Sequence, residues 1–68
     1  MEIGDLIKKY RIENKMTQVD LANKIGVIYQ QIQKWETGER NPGTKNIFLL
    51  IDILEIPFDE IKSAILKR

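Results

Sequence analysis

The sequence predicts an all-α domain, and the pattern of apolar residues carries this prediction. Apolar side chains recur at helical spacing, as at Ile3, Leu6, Ile7 and Tyr10. Strict alternation of apolar and polar residues, which marks a half-buried strand, is lacking. The 68 residues, 43% of them apolar, suffice for one small core. We therefore expect a single compact domain, residues 1–68, built from five helices.

The first two helices have recognisable boundaries. The first is expected from about Ile3 to Asn14. Thr17 is a good N-cap for the second helix, with Asp20 in position to complete a capping box. Gly26 ends this helix, because glycine adopts the left-handed conformation without steric cost.

The third helix is expected over Tyr29–Thr37, with Ile32 and Trp35 facing the core and Gly38 at its end. The joint before it, residues 26–28, is too short for an antiparallel pair, so the second and third helices must cross steeply. The outer face of the third helix then projects from the domain. A helix of this width fits the major groove of B-DNA, whose base edges are rich in hydrogen-bonding groups. The polar residues available on it are Tyr29, Gln30, Gln31, Gln33 and Lys34.

The last two helices follow turn signals. Asn41-Pro42-Gly43 predicts a turn, after which Thr44 is expected to cap a fourth helix that continues to Leu54. Pro57 separates this helix from a fifth, expected over Phe58–Leu66.

Composition excludes several classes of function. The chain has no histidine and no cysteine, so it lacks the commonest general base, the commonest metal ligand and any disulfide. No apolar run approaches the ~20 residues of a membrane span. We therefore expect a cytoplasmic, non-enzymatic domain with no cofactor, no metal and no membrane partner.

Charge is distributed unevenly although the net charge is only +1. Residues 8–45 hold eight basic side chains against four acidic ones, whereas residues 46–68 hold three against four. Positive charge thus gathers in the part that contains the glutamine-rich helix, as expected of a nucleic-acid-binding surface.

The stretch from Thr17 to Gly38 resembles the helix-turn-helix of the phage repressor/Cro group, the xenobiotic-response-element-like regulators. The matching pattern is TQxxLAxxIGVxxxxIxxWExG. The resemblance extends from Ile3 to about Ile61. It implies a five-helix, lambda-repressor-like fold with the helix-turn-helix at about 17–37, and with helices at about 44–66 completing the core.

The resemblance implies specific contacts with double-stranded DNA. Tyr29, Gln30 and Lys34 match positions that read base edges, and Gln31 and Gln33 flank them. A glutamine can bond the N6/N7 edge of adenine, and a lysine favours the O6/N7 edge of guanine. The positions that match contacts to the sugar-phosphate backbone are Gln18, Thr37, Arg40 and Lys45. The exposed amides at the start of the fourth helix, near Thr44, are expected to add to these contacts.

Arg11 and Glu36 resemble a family ion pair that orients the third helix, the alternative being two separate surface charges. Other positions depart from the family. A left-handed helix end that is usually glycine falls on Lys15, with Asn14 as the alternative, and a second falls on Glu55. Ile28 replaces the small hydroxyl residue that often caps the third helix.

The fourth and fifth helices are more apolar than one buried face requires. We expect a self-complementary surface for a two-fold homodimer, the alternative being a single fuller core. The residues expected there are Leu49, Ile53, Ile56, Phe58, Ile65 and Leu66.

The function that this resemblance implies is sequence-specific transcriptional regulation, with the chain binding a palindromic operator as a homodimer. A phage repressor or Cro, a restriction–modification controller and an antitoxin are all compatible with its small size. A further partner would be RNA polymerase or a toxin. The competing hypothesis is a protein-interaction module that uses the apolar surface of the fourth and fifth helices.

Overall fold

The computed structural model describes residues 1–66, and this part of the chain forms five α-helices and no strand. The all-α prediction is confirmed. The helices are α1 (Ile3–Glu13), α2 (Gln18–Ile25), α3 (Tyr29–Thr37), α4 (Thr44–Leu54) and α5 (Phe58–Leu66).

The core lies where all five helices meet. α3 packs against α1 and α2, and α4 and α5 pack against α1. Each helix contributes apolar side chains at helical spacing, and the largest of them are excluded from solvent. These fully buried side chains are Leu6, Ile7, Leu21, Ile32, Leu50, Leu54 and Ile61.

Gly4 allows α1 and α3 to approach closely. A Cβ at this position would overlap the carbonyl oxygen of Trp35 and lie 2.9 Å from that of Glu36. Both obstacles are backbone atoms, which cannot rotate away. The sequence pattern did not reveal this contact, because a glycine inside a helical pattern does not show which helix lies beside it.

The start of α2 is the capping box that the sequence predicts. The hydroxyl of Thr17 accepts from the Asp20 N–H at 3.0 Å, and the Asp20 carboxylate accepts from the Thr17 N–H at 2.9 Å. The hydrogen bond from the Thr17 backbone N–H, and to a smaller extent the one with the Thr17 hydroxyl, holds the pKa of the Asp20 carboxyl below its ordinary value. Gly26 and Gly38 end α2 and α3 with φ of 90° and 81°, as expected.

Three other helix ends test the sequence interpretation. Lys15, not Asn14, takes the left-handed conformation, with φ of 57°. Asn14 has φ of −86°, and its Nδ2 donates to the carbonyls of Tyr10 and Leu54, at 2.7 and 3.2 Å. Glu55 is left-handed, with φ of 55°, as expected. The predicted cap of α4 is wrong: Gly43 occupies the N-cap, and Thr44 is the first helical residue.

Ile56 does not belong to the expected interaction surface. Its side chain is only 2% exposed and packs in the core between α4 and α5. The turn at residues 55–57 directs it inward, and helical spacing could not indicate this orientation because Ile56 lies outside both helices. No helix within residues 1–66 has the length and hydropathy to cross a bilayer.

Candidate nucleic-acid interface

The joint between α2 and α3 sets the crossing of the two helices. The N–H groups of Gly26 and Val27 both donate to the carbonyl of Ala22, at 2.8 and 3.0 Å. The chain therefore turns sharply at the end of α2. Ile28 is the N-cap of α3, and its side chain makes no capping bond. The next residue, Tyr29, begins a helix whose outer face is free of the domain.

α3 separates into a buried and an exposed face. Ile32 and Trp35 are buried in the core, so Trp35 cannot serve as a stacking platform. Gln30, Gln33 and Lys34 are exposed. The helix therefore presents amides and an ammonium group to solvent while it is anchored by its apolar face.

A polar groove of about 450 Å³ runs beside this exposed face. It brings together five of the residues that the sequence analysis assigned to DNA contacts: Gln18, Gln30, Gln33, Lys34 and Thr37. Lys8, Glu36 and Glu39 complete its lining. Lys8 was missed as a groove residue, because its place beside α3 follows only from the packing of α1 on α3.

Gln31 and Arg40 line a second, smaller groove of about 230 Å³, together with Asn41 and Asn46. Arg40 is held close to α3 because its backbone N–H donates to the carbonyl of Lys34 at 3.2 Å. Seven of the ten expected DNA-contacting residues are therefore divided between these two grooves.

Tyr29 lines neither of the two polar grooves. Its side chain is 41% exposed at the start of α3, beside the exposed Ile28. The hydroxyl of Thr37 donates to the carbonyl of Lys34 at 3.2 Å. Lys45 is exposed, whereas Thr44 borders a third groove that is mainly apolar.

Arg11 and Glu36 form a two-point ion pair between α1 and α3. Arg11 Nε and Nη2 donate to the two carboxylate oxygens of Glu36 at 2.6 and 3.1 Å, and the side chains are 12% and 5% exposed. Arg11 Nη1 also donates to the carbonyl of Met16 at 2.9 Å. Gln18 Nε2 donates to Glu36 at 3.3 Å, a contact that the sequence analysis did not anticipate.

The apolar groove lies on α4 and α5 and measures about 590 Å³. Phe48 and Phe58 border it at 59% and 60% exposed, and Ile65 and Leu66 are also exposed there. Leu49 and Ile53 are only partly exposed and do not line it. We call this surface the α4/α5 apolar groove. Phe48 was missed because the periodicity of a nearly all-apolar helix does not distinguish its outer positions.

Comparison of this chain with known proteins identifies its family. A family model described as Helix-turn-helix matches residues 7–61, which include the whole α2–α3 unit and both polar grooves. The chain belongs to the Cro/C1-type helix-turn-helix family. The resemblance stated from the sequence is thereby confirmed.

Members of this helix-turn-helix family among the relatives include transcriptional regulators. The chain is 33% identical over 61 residues to the cryptic phage CTXphi transcriptional repressor RstR of Vibrio cholerae, covering 90% of this chain and 54% of RstR. It is 36% identical over 67 residues to the type II methyltransferase M1.ScrFI of Lactococcus lactis subsp. cremoris. That match spans only 17% of the methyltransferase, so it does not extend methyltransferase activity to this chain.

Among solved structures, the wild-type restriction–modification controller protein C.Esp1396I is similar over nearly the whole chain. It has a TM-score of 0.76 and 34% sequence identity, and the match covers 97% of this chain and 91% of the controller protein. Within residues 1–66, no group of three or more carboxylates could hold a metal ion.

Proposed function

We propose that this chain is a sequence-specific DNA-binding transcriptional regulator that binds a palindromic operator as a homodimer. The observation that carries the proposal is the polar groove, where Gln18 of α2 lies beside Gln30 and Lys34 on the outer face of α3. Membership of the Cro/C1-type family and the similarity to a phage repressor and a restriction–modification controller support it. Occupancy of the operator would block a promoter or place the protein beside RNA polymerase.

Base recognition falls to the outer face of α3. Gln30 and Lys34 are one helical turn apart and line the same groove, so they can reach neighbouring base pairs. Gln30 offers a donor and an acceptor to an adenine edge, and Lys34 offers its ammonium group to a guanine edge. Tyr29 reaches a thymine methyl or a phosphate from the start of the helix, while Gln31 and Gln33 serve flanking positions.

The sugar-phosphate backbone is held by groups around this helix. Arg40 and Lys45 supply positive charge that does not depend on sequence. Gln18 and Thr37 border the base-reading residues. Thr44 adds a hydroxyl beside the free N–H groups at the start of α4, which favour a phosphate.

Two copies would meet through the α4/α5 apolar groove. Phe58, Ile65 and Leu66 are exposed there, as expected of a contact surface, and Phe48 extends it. Leu49 and Ile53 remain part of the proposal as partly exposed neighbours. A two-fold dimer would present two α3 helices to successive major grooves, ~34 Å apart.

The proposal is tested by selection from random double-stranded DNA with the purified chain. We expect a palindromic sequence to be enriched. Gln30→Ala should then weaken binding to the selected DNA by ~1–3 kcal/mol and relax the preference at one base position, whereas Arg40→Ala should weaken all sequences alike. Filter binding or gel shift measures both.

Equal losses for Gln30→Ala on selected and random DNA would contradict its base-reading role. If no DNA is retained even at low salt, the regulator proposal itself fails. The second candidate, a protein-interaction module such as an antitoxin that binds a toxin, would then be favoured. The observation that favours it is the α4/α5 apolar groove, which is large enough to accept side chains of another protein.

A further inference from the structure

The carboxylate of Glu36 is shared between a structural partner and a groove residue. Its Oε2 accepts from Arg11 Nε at 2.6 Å, and its Oε1 accepts from both Arg11 Nη2 at 3.1 Å and Gln18 Nε2 at 3.3 Å. Arg11 is in turn fixed to the carbonyl of Met16. One nearly buried carboxylate therefore joins α1, the first residue of α2, and α3.

This contact determines which way the Gln18 carboxamide points. A carboxylate accepts hydrogen bonds but cannot donate them, so the amide nitrogen of Gln18 must face Glu36 and its oxygen must face away. The nitrogen carries two protons, and Glu36 takes one of them. The second N–H remains available in the groove that Gln18 shares with Gln30 and Lys34.

We infer that Glu36 is a positioning residue for the contact between Gln18 and DNA. The inference rests on the proposed function and adds a role for Glu36 beyond its ion pair with Arg11. Glu36 holds the Gln18 side chain so that its second N–H meets a phosphate oxygen. A side chain ordered before binding loses less rotamer freedom when the complex forms, which increases affinity.

The first test needs no DNA. In the free protein, NMR relaxation of the side-chain amide nitrogens measures how strongly each carboxamide is ordered. We expect the Gln18 carboxamide to be more ordered than that of Gln33. Gln33 is the matched control, because it lines the same groove but makes no bond to Glu36. A Gln18 carboxamide as mobile as that of Gln33 would overturn the inference.

The second test is a double-mutant cycle of Glu36→Gln and Gln18→Ala on the DNA duplex recovered by selection. A carboxamide has one acceptor oxygen in place of two, and Arg11 would take it, so Gln18 loses its partner. Glu36→Gln should weaken binding roughly 2- to 10-fold when Gln18 is present, the range expected for one immobilised side chain. The loss should be smaller when Gln18→Ala is also present, because only the contribution of the ion pair with Arg11 then remains.

A purely structural role of Glu36 would give the same loss in both backgrounds and would refute the inference. Gln33→Ala replaces Gln18→Ala in the control cycle, where no coupling is expected. Circular dichroism at the binding temperature checks that each variant is folded. If Glu36→Gln does not fold, the NMR relaxation measurement on the parent chain decides the inference. Failure of the wild-type chain to retain DNA would refute the proposed function, while absence of coupling in a chain that binds DNA would refute only this inference.

Discussion

Single polar residues in this chain take their roles from partners far away in the sequence. The hydroxyl of Tyr10 on α1 donates to the carboxylate of Glu60 on α5, and Lys9 lies over the Tyr10 ring. The bond to Glu60, then burial, and then the negative charges of Glu60 and Glu13 raise the pKa of Tyr10 to about 12. Each of these causes favours the protonated phenol.

The raised pKa of Tyr10 predicts a loss of stability at high pH. The native state holds this proton more tightly than the unfolded chain, whose tyrosine titrates near its ordinary pKa of 10.0. The stabilisation is therefore complete below pH 10 and is lost as the pH rises toward 12. Thermal unfolding should show Tyr10→Phe less stable than the parent at pH 8, with the difference shrinking by pH 11. A constant difference across this range would contradict the assignment.

At the scale of helices, two kinds of position control how the elements end and meet. Lys15 and Glu55 end α1 and α4 in the left-handed conformation that glycine adopts without steric cost. Gly4 lets the backbones of α1 and α3 touch. The backbone is thus strained at two helix ends, and the contact between α1 and α3 requires glycine at position 4.

Glycine at either strained helix end should stabilise the domain. Lys15→Gly and Glu55→Gly each relieve a left-handed backbone, which costs about 1 kcal/mol for a residue with a Cβ. Urea unfolding should show a higher midpoint with an unchanged slope. Lys15→Ala is the control and should give no gain, because alanine keeps the Cβ. If the glycine and alanine variants behave alike, the strain is not at this backbone position.

A side chain at Gly4 should separate α1 from α3. Gly4→Ala places a methyl group against the backbone carbonyls of Trp35 and Glu36, so the helices must shift. Overpacking of this kind costs about 1–3 kcal/mol. Gly43→Ala is the control for a Cβ that meets no atom within 4 Å, and it should cost less, since only the poorer N-cap preference of alanine acts there. Urea unfolding that ranks the two variants equally would refute the close-contact explanation.

At the scale of the whole molecule, the polar and apolar surfaces lie on different helices. α3 carries the polar groove, and α4 and α5 carry the apolar groove. This separation suits the proposed dimer, because two copies can join through one surface while each keeps the other free for DNA.

Loss of the apolar surface should separate the proposed dimer without unfolding the chain. Phe58 is largely exposed, so Phe58→Lys should leave the core intact while placing a charge in the contact. Sedimentation should show a dimer for the parent chain at high micromolar concentration and a monomer for the variant. Val19→Lys makes the same change at another exposed apolar position, on α2, and should remain dimeric. A parent chain that sediments as a monomer would contradict the dimer.

The sequence predicted the elements well, because their determinants are local. Helical spacing placed the cores of all five helices, and the Thr17–Asp20 box and the glycines after α2 and α3 marked their ends. Local rules failed at two positions. Thr44 suits an N-cap but is the first helical residue of α4, because Gly43 occupies the cap. Ile56 lies in the turn between α4 and α5, where helical spacing does not apply.

The sequence by itself determined the helices, the buried face of α3 and the family motif, since these depend on residue type and spacing. Only the tertiary structure decided which distant groups meet: Gly4 against the backbone of α3, Lys8 beside the polar groove, and Gln18 on the carboxylate of Glu36. These contacts depend on how α1, α2 and α3 cross. Helical periodicity specifies a face of each helix, but it does not specify the residue that lies opposite.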